Sequence, residues 1–350
     1  MVKKICFIGA GLEGGGQERA LTNFANTYAS IGADVTIICL FKTNIFFKIH
    51  PNIKIVWPTI NRETNNKFIY SLKLIPYIRK NIKLTKPDVI ISFGDWFNAY
   101  SIFATRFLYI RTVITNRMGP NLHLGKFLEF ANTCLYRFSD AMIVQTDRAR
   151  IIMQKKYKLK NIHVVPNIIN PININGLKYE KNIISIGRLS KDKGHKYLIE
   201  AFSKLNNQDW KLHIVGDGPE MLNLKILVDK LNLKKNVIFH GHLKDFSSIL
   251  QKTSIFVLPS LYEGFPNALL EAMSIPLACI SSDCVAGPRE IIQNGVNGLL
   301  FEPQNVNDLF CKLDYLVSNK EQQINLRNEA LKVRQEYSSE KIFALLNNII

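Results

Sequence analysis

The sequence predicts an α/β protein made of two doubly wound domains, each with a parallel sheet covered by helices on both faces. Three observations lead to this prediction. The chain has 350 residues, more than one hydrophobic core usually supports. Short apolar runs alternate with stretches of helical period in both halves. A segment rich in proline and asparagine, 166–175, separates the two series and is the predicted linker.

The first domain is predicted over residues 1–165. Its buried strands are expected at 3–9, 34–40, 88–93, 112–115 and 141–145, and its helices at 17–31, 67–84, 97–108, 124–137 and 146–156. In such folds ligands bind at the carboxyl ends of the strands, so chemistry is expected in the loops that follow them.

The second domain is predicted over residues 176–333. Its strands are expected at 182–188, 210–218, 237–241, 254–260, 277–281 and 298–302, and its helices at 194–205, 219–231, 244–251, 267–274, 287–293 and from 305 onward. Residues 334–350 are predicted to form a C-terminal helix that packs back toward the first domain.

The composition argues against several classes of protein. Apolar residues make up 47% and charged residues 21%, so the chain can bury real cores and is not expected to be disordered. No run of about 18 apolar residues occurs, and the N-terminal run before Gly9 suits a first strand better than a signal peptide. The six cysteines form no CxxC and no zinc-binding spacing, so reduced thiols in a cytoplasm are expected.

Charge is distributed unevenly along the chain. Residues 1–170 carry 24 Lys or Arg against 9 Asp or Glu, whereas residues 171–350 carry 21 against 19. The basic half is therefore expected to meet an anionic partner, such as a phospholipid surface, a lipid-linked diphosphate or nucleic acid. No RRM, KH or helix-turn-helix signature supports nucleic acid.

A glycine-rich turn follows the first predicted strand. Gly9 to Gly14 reads GxGxxG, which in a dinucleotide site requires an acidic residue at the end of the second strand. That strand ends in Ile38-Cys39-Leu40-Phe41-Lys42 and has no such residue. A nicotinamide- or flavin-dependent oxidoreductase is therefore kept only as an alternative. Backbone N–H groups at this turn also suit an anion or a sugar hydroxyl.

The second domain contains a pair of cations after its first strand. Arg188 follows Gly187, and Lys193 lies five residues further on. Together they can hold one diphosphate, Arg188 as a bidentate fork and Lys193 as a point charge, although a surface salt-bridge pair is the simpler alternative.

The most informative motif runs from Glu263 to Glu271. Pro266 precedes a predicted helix whose first N–H groups, at 267–269, would face a phosphate. Glu263 lies in the loop before the helix and Glu271 about one turn inside it. Two carboxylates beside a phosphate would repel it unless each contacts hydroxyl groups, as on a sugar and a ribose.

With these motifs the second domain resembles the retaining glycosyltransferases of family 4, which have the GT-B fold of two facing Rossmann-like domains with a cleft between them. The first domain is similar through its GGGQERA stretch at 14–20. The matching segments of the second domain are 187–189, 193–194, 216–220, 240–241, 263–271 and 295–300.

The resemblance implies roles for individual residues. Arg188 and Lys193 would stabilise the departing nucleotide diphosphate, Glu263 would contact the transferred sugar, and Glu271 would bind the ribose. It also implies no metal and no cofactor besides the nucleotide-sugar co-substrate. The other donor-side residues would be Gly187, Gly241, Leu243, Gly264, Phe265, Pro266, Asn267, Ala268 and Leu269. The acceptor-side residues would be Gly14, Gly15, Gly16 and Arg117.

Two local features refine the resemblance. Many members have an acceptor-side histidine where this chain has Asn116-Arg117, and a subset has arginine there. The stretch 281–290 is similar to members that build bacterial surface polysaccharides, which favours UDP-N-acetylhexosamine or UDP-galactose over GDP-mannose. A GDP-mannose-dependent mannosyltransferase remains the alternative within the family.

The basic half is expected to dock this enzyme on a membrane. The window Lys67–Lys86 contains six Lys or Arg among apolar residues, and aromatic residues stand beside lysines in the predicted loop Phe41–Lys48. Such surfaces suit an anionic membrane. The sequence thus predicts a cytoplasmic hexosyltransferase, peripheral to the inner face of the cell membrane. It would extend a lipid-linked saccharide of lipopolysaccharide, capsule or other surface polysaccharide. A non-catalytic basic protein that binds membrane or nucleic acid is the alternative of another class.

Overall fold

The computed structural model describes residues 3–59, 66–120, 123–169, 176–206, 209–243 and 245–350. The chain divides into two compact units, one made of residues up to 168 together with 339–350, the other of 169–338. Most of the predicted linker, residues 170–175, lies outside the described residues.

The first domain contains a seven-stranded parallel sheet with strand order β3-β2-β1-β4-β5-β6-β7. Its strands are β1 (Lys4–Gly9), β2 (Asp34–Cys39), β3 (Lys54–Val56), β4 (Val89–Phe93), β5 (Arg111–Thr115), β6 (Ala141–Val144) and β7 (Ile162–Val164). Its helices in the same stretch are α1 (Gly16–Ser30), α2 (Lys67–Thr85), α3 (Asn98–Thr105), α4 (Lys126–Leu135) and α5 (Asp147–Tyr157), with a 3₁₀ turn at Tyr136–Phe138.

The two edge strands were not among the predicted elements. β3 and β7 have three residues each and are only partly buried, whereas β4 and β6 are buried throughout. A short edge strand buries one face and pairs on one side, so it leaves no apolar run in the sequence.

The second domain contains a six-stranded parallel sheet with strand order β10-β9-β8-β11-β12-β13. Its strands are β8 (Asn182–Ile186), β9 (Lys211–Val215), β10 (Val237–Phe239), β11 (Ile255–Leu258), β12 (Ala278–Ser282) and β13 (Leu299–Phe301). Its helices are α6 (His195–Phe202), α7 (Met221–Lys230), α8 (Ser247–Leu250), α9 (Asn267–Ser274), α10 (Pro288–Ile291), α11 (Val306–Ser318), α12 (Lys320–Ala330) and α13 (Val333–Glu336), with a 3₁₀ turn at Lys191–Lys193.

The last helix, α14 (Ser339–Asn347), belongs to the first domain. Phe343 packs on Tyr28 of α1 with ring centroids 4.9 Å apart. Arg111 donates two hydrogen bonds to the carbonyl of Ile349, at 3.0 and 2.6 Å. Residues 334–338 instead stay with the second domain, where Tyr337 packs against Phe265. The boundary therefore lies later than the predicted residue 333.

Both sheets have a point where strand order reverses, between β1 and β4 in the first and between β8 and β11 in the second. Loops diverge at such a point and leave a crevice at the carboxyl ends of the strands. Within the described part of the chain, no helix is long and apolar enough to cross a membrane.

The structure corrects part of the proposed membrane surface. Phe41 stacks on Tyr70, with ring centroids 5.6 Å apart, and meets the edge of Phe97. It is therefore a packing residue rather than an exposed loop aromatic. Several apolar residues of the Lys67–Lys86 window also face the core, namely Tyr70, Leu74, Ile78 and Ile82.

Candidate active site

The loops after β8 and β11 lie in contact at the reversal point of the second sheet. Gly194 ends the 3₁₀ turn with φ +66°, and a Cβ there would overlap the carbonyl oxygen of Pro259. The N–H of Leu261 donates to the carbonyl of Asp192 over 2.7 Å. Backbone-to-backbone contact therefore holds the two loops together.

This contact brings Lys193 to Glu263. The Lys193 Nζ lies 2.7 Å from Glu263 Oε1, and the two side chains are 26% and 10% exposed. The ammonium has three donors and the carboxylate about four acceptor positions, so each keeps capacity beyond this bond. A ligand carrying both phosphate and hydroxyl groups could contact both side chains at once.

Arg188 lies on the same loop and points outward. It is exposed, and its side chain has no hydrogen bond or ion pair among the described residues. Its backbone is held from behind by the turn after β9, because the N–H of Leu189 donates to Asp217 over 2.9 Å. Gly216 has φ +144°, and a Cβ there would overlap the carbonyl oxygen of Gly187. The GDGPE turn thus supports the cation loop.

The N-terminus of α9 follows the Glu263 loop. Pro266 is its N-cap and offers no side-chain hydrogen bond. Of the predicted phosphate-facing N–H groups at 267–269, that of Asn267 instead donates to the carbonyl of Phe265 over 2.9 Å, which leaves those of Ala268 and Leu269. Gly287 has φ +98°, and a Cβ there would lie 2.5 Å from the Pro266 ring. The loop after β12 therefore backs the α9 N-terminus. Phe265 is buried beneath it, and Glu271 lies half-buried one turn into the helix.

The remaining donor-side residues lie beside this group. Gly241 follows β10 with φ +66°, and its carbonyl accepts a 2.8 Å hydrogen bond from the N–H of Gly216. Leu243 packs against the apolar cluster that contains Val215 and Phe265. The loops that follow β8, β10 and β11 therefore carry all the predicted donor-side residues up to Pro266, and α9 carries the rest.

In the first domain the glycine turn after β1 is covered by the loop after β2. The N–H of Leu12 donates to Thr43 Oγ1 and the N–H of Phe46 donates to Leu12, both over 2.9 Å. A Cβ on Gly14 would meet the Phe46 ring at 3.3 Å. Gly15 is the N-cap of α1 and Gly16 its first residue.

Arg117 follows β5 and is buried. Its guanidinium lies 5.2 and 5.1 Å from the ring centroids of Phe24 and Phe93, and Nη1 donates to Asn167 Oδ1 over 2.9 Å. Its Nε and Nη2 have no hydrogen-bond partner within the described ranges. Burial lowers the pKa of Arg117 to about 9, opposed by the nearby carboxylate of Asp95. The predicted acceptor-side residue thus lies in the domain interior, with two of its guanidinium nitrogens buried and without a hydrogen-bond partner among the described residues.

Comparison with known proteins identifies the chain. The family model "Glycosyltransferase Family 4" matches residues 14–172, and "Glycosyl transferases group 1" matches residues 170–333. An uncharacterized glycosyltransferase of Haemophilus influenzae is 30% identical over 344 residues, covering 94% of each chain. The chain belongs to the family 4 glycosyltransferases. A lipopolysaccharide 1,6-galactosyltransferase of Salmonella typhimurium is 26% identical to it, covering 91% of this chain and 90% of its own.

Solved structures show the fold of this glycosyltransferase. The lipopolysaccharide outer core galactosyltransferase WaaB in its apo form matches with a TM-score of 0.78 at 22% identity, over 99% of this chain and 98% of its own. Staphylococcus aureus TarM, in a complex that contains UDP, matches with a TM-score of 0.84 at 16% identity, over 100% and 99%. The glycosyltransferase has the GT-B fold of two Rossmann-like domains.

Sequence reasoning missed two buried groups at the site edges of this glycosyltransferase. His195 is the first residue of α6, packs beneath Gly187 and has no partner for either ring nitrogen among the described residues. Burial lowers the pKa of His195 to about 4. Asp95 follows β4 at the first reversal point and accepts from Asn116 Nδ2 over 2.9 Å, and burial raises its pKa to about 6. The available signal was their position directly after Gly194 and Gly94, His195 at the start of a helix and Asp95 in the loop after β4.

Proposed function

We propose that this glycosyltransferase moves a hexose or N-acetylhexosamine from a UDP-sugar to a lipid-linked saccharide, with retention at the anomeric carbon. The observation that carries the proposal is the Lys193–Glu263 pair, which joins the loop of exposed Arg188 to the loop that leads into α9. It combines cationic and helix-dipole groups for a diphosphate with a carboxylate for sugar hydroxyls.

In this proposal the leaving diphosphate gains negative charge as the bond from its oxygen to the anomeric carbon breaks. Arg188, Lys193 and the N–H groups of Ala268 and Leu269 at the start of α9 stabilise that charge. Glu263 orients the transferred sugar and Glu271 holds the ribose. The acceptor oxygen bonds to the anomeric carbon on the same face, and its proton passes to the departing diphosphate. No metal takes part, which remains a prediction.

The relatives support the choice of a UDP donor. Anabaena HepE was solved with UDP and glucose, and matches this chain with a TM-score of 0.79 at 17% identity. TarM was solved with UDP. The Salmonella relative is named a galactosyltransferase. A GDP-mannose donor is the alternative within the family.

The proposed acceptor is a saccharide on a membrane lipid. A Campylobacter jejuni relative, 26% identical over 93% of this chain and 92% of its own, is named for an undecaprenol-diphosphate acceptor. The Erwinia amylovora relative AmsD is named for amylovoran biosynthesis. We therefore place the enzyme on the cytoplasmic face of the cell membrane in lipopolysaccharide, capsule or other polysaccharide biosynthesis. The excess of cations in the first half suits that location.

Ligand-dependent thermal stabilisation tests the donor. UDP or a UDP-sugar is expected to raise the melting temperature, whereas GDP, NADH and FAD are not. Arg188→Ala should abolish the shift and lower transfer at least about 100-fold, since one charge-stabilising donor contributes that much. Arg188 is exposed, so its removal leaves folding intact. The matched control is Lys196→Ala, an exposed α6 cation that pairs with Glu200 on its own helix.

Several outcomes would contradict the proposal. Stabilisation by NADH or FAD alone would revive an oxidoreductase that uses the Gly9–Gly14 turn. A GDP-specific shift would favour the mannosyltransferase. Transfer by Arg188→Ala or Lys193→Ala within a few-fold of the unmodified enzyme would remove the diphosphate role from these cations.

A further inference from the structure

The first domain presents an apolar face built by α2, α3 and α4. Two open cavities, of about 580 and 440 Å³, share Ser71, Tyr100, Phe127 and Leu128 as lining residues, so they form one continuous groove. Leu72 and Phe103 line one cavity, and Trp96 lines the other. We call this surface the α2–α3–α4 face.

Large apolar side chains project from this face. Phe127 is 81% exposed, Phe103 55%, Leu72 53% and Trp96 43%. Phe130, one helical turn after Phe127 on α4, is 70% exposed. Singly scattered apolar residues on a surface are ordinary, but aromatic residues that share one groove indicate an interaction site.

The segments that build this face are strongly basic. Residues 67–86, 96–110 and 123–138 contain nine Lys or Arg and one acidic residue, Glu129. Glu129 is already engaged, because its Oε1 lies 3.4 Å from Lys156 Nζ. Lys126 lines the groove itself, and Lys80 and Lys83 are exposed on α2. A cationic rim around exposed aromatic residues is complementary to an anionic lipid headgroup layer with hydrocarbon beneath it.

We propose that the α2–α3–α4 face docks on an anionic bilayer, with Phe103, Phe127 and Leu72 entering the leaflet and the surrounding cations contacting headgroup phosphates. The inference deepens the proposed function, on which it rests for its membrane-bound acceptor. The docking residues are mainly those of α3 and α4, which the sequence motifs did not single out. A protein partner would need many acidic groups to match this rim, whereas an anionic leaflet supplies them at every position.

Vesicle sedimentation tests the face. The full chain is expected to bind vesicles of phosphatidylglycerol and phosphatidylethanolamine, and to bind phosphatidylcholine vesicles weakly. Phe103→Ser/Phe127→Ser should weaken binding to the anionic vesicles at least about tenfold, because the free energy of transferring two aromatic side chains from water into the bilayer is lost. The matched control is Leu222→Ser/Ile226→Ser, which removes two exposed apolar side chains from α7 of the second domain and should change nothing.

Tryptophan fluorescence gives a second test of whether the α2–α3–α4 face contacts lipid. Trp96 lines the groove, so its fluorescence should shift to the blue when anionic vesicles are added. The shift should disappear in Trp96→Phe. Lys126→Glu should weaken binding and reduce its dependence on salt.

The outcomes separate docking from catalysis. Phe103→Ser/Phe127→Ser should keep the UDP-dependent thermal shift and its transfer to a short-chain, water-soluble acceptor. If the double variant loses vesicle binding but keeps the UDP-dependent thermal shift and the transfer to the soluble acceptor, the docking proposal is supported. If the unmodified chain binds vesicles but shows no thermal shift with UDP, only the donor assignment is removed. Equal vesicle binding by the double variant overturns the docking proposal. So would a change from dimer to monomer in light scattering with vesicle binding unchanged, since a second copy would then cover the face.

Discussion

In the loops of the second sheet, a Cβ added to Gly194 or Gly216 would overlap backbone atoms, whereas in the loops of the first sheet a Cβ added to Gly14 would contact a side chain. Gly194 and Gly216 lie against the carbonyl oxygens of Pro259 and Gly187, which cannot move without moving whole loops. Gly14 lies against the Phe46 ring, which can rotate. The same topology thus holds one set of loops rigidly and the other adjustably. Rigid support suits the groups that must meet a developing charge.

The largest expected effect is that of Gly216→Ala. Its φ of +144° disfavours a side chain, and the Cβ would overlap Gly187. The free energy of unfolding of the second domain should fall by about 4 kcal/mol or more. Gly241→Ala, at φ +66° with nothing within 4 Å, should cost only about 1 kcal/mol. Urea unfolding in a Trp57→Phe/Trp96→Phe background, where Trp210 is the remaining tryptophan, measures both. Equal losses would refute the backbone-locking interpretation.

Acid should weaken the second domain through His195. Its pKa of about 4 in the folded state lies below the ordinary 6.5, so the unfolded chain binds the proton more readily between those values. The contribution of His195 to stability should therefore fall as pH drops from 6.5 toward 4, by about 3 kcal/mol. His195→Leu should reduce this slope in urea titrations at several pH values, and the slope that remains belongs in part to His213, whose pKa burial also lowers to about 4. The exposed His123→Gln of the first domain should leave it unchanged, and an unaltered slope in His195→Leu would contradict the prediction.

Substitutions of Arg117 distinguish a structural role of this residue from a role in acceptor binding. Arg117→Ala leaves a gap against Phe24 and Phe93 and should destabilise the first domain by about 2 kcal/mol. Arg117→Met refills that gap and removes a partly unsatisfied buried charge, so its stability should be near that of the unmodified chain. If Arg117 also contacts the acceptor, both variants should lose transfer equally. Full transfer activity of Arg117→Met would show that the side chain at this position serves packing alone.

The smallest effect is expected for Gly14→Ala. The added Cβ would lie 3.3 Å from Phe46, and a shift of the ring by a few tenths of an ångström relieves the contact. The cost should stay below about 1 kcal/mol in thermal unfolding. A loss comparable to that of Gly216→Ala would show that both glycine loops are equally rigid.

The sequence predicted what local patterns encode. The strand and helix alternation, the cation loop at 187–194 and the Glu263–Glu271 segment all depend on neighbours within about ten residues, and the structure places them where predicted. The Lys193–Glu263 contact joins residues far apart in the chain, and parallel strand order explains it only once β8 and β11 are known to be adjacent.

The misses share one cause, which is dependence on distant packing. Phe41 looked exposed until α2 brought Tyr70 against it. The enclosure of Arg117 by Phe24 of α1 and Phe93 of β4 was likewise not predicted, and its acceptor-side role stays a prediction. The exposed aromatic residues of α4 were not singled out, because their exposure depends on which other elements cover the helix.

The closure of the first domain by α14 has a consequence for synthesis. During translation the second domain, which begins at residue 169, has all its residues once residue 338 has left the ribosome. The first domain, whose β1 is made earliest, must wait for residues 339–350 before Tyr28 and Arg111 find their partners. The domain whose synthesis starts first is thus packed completely only after the second, because α14 is made after residues 169–338.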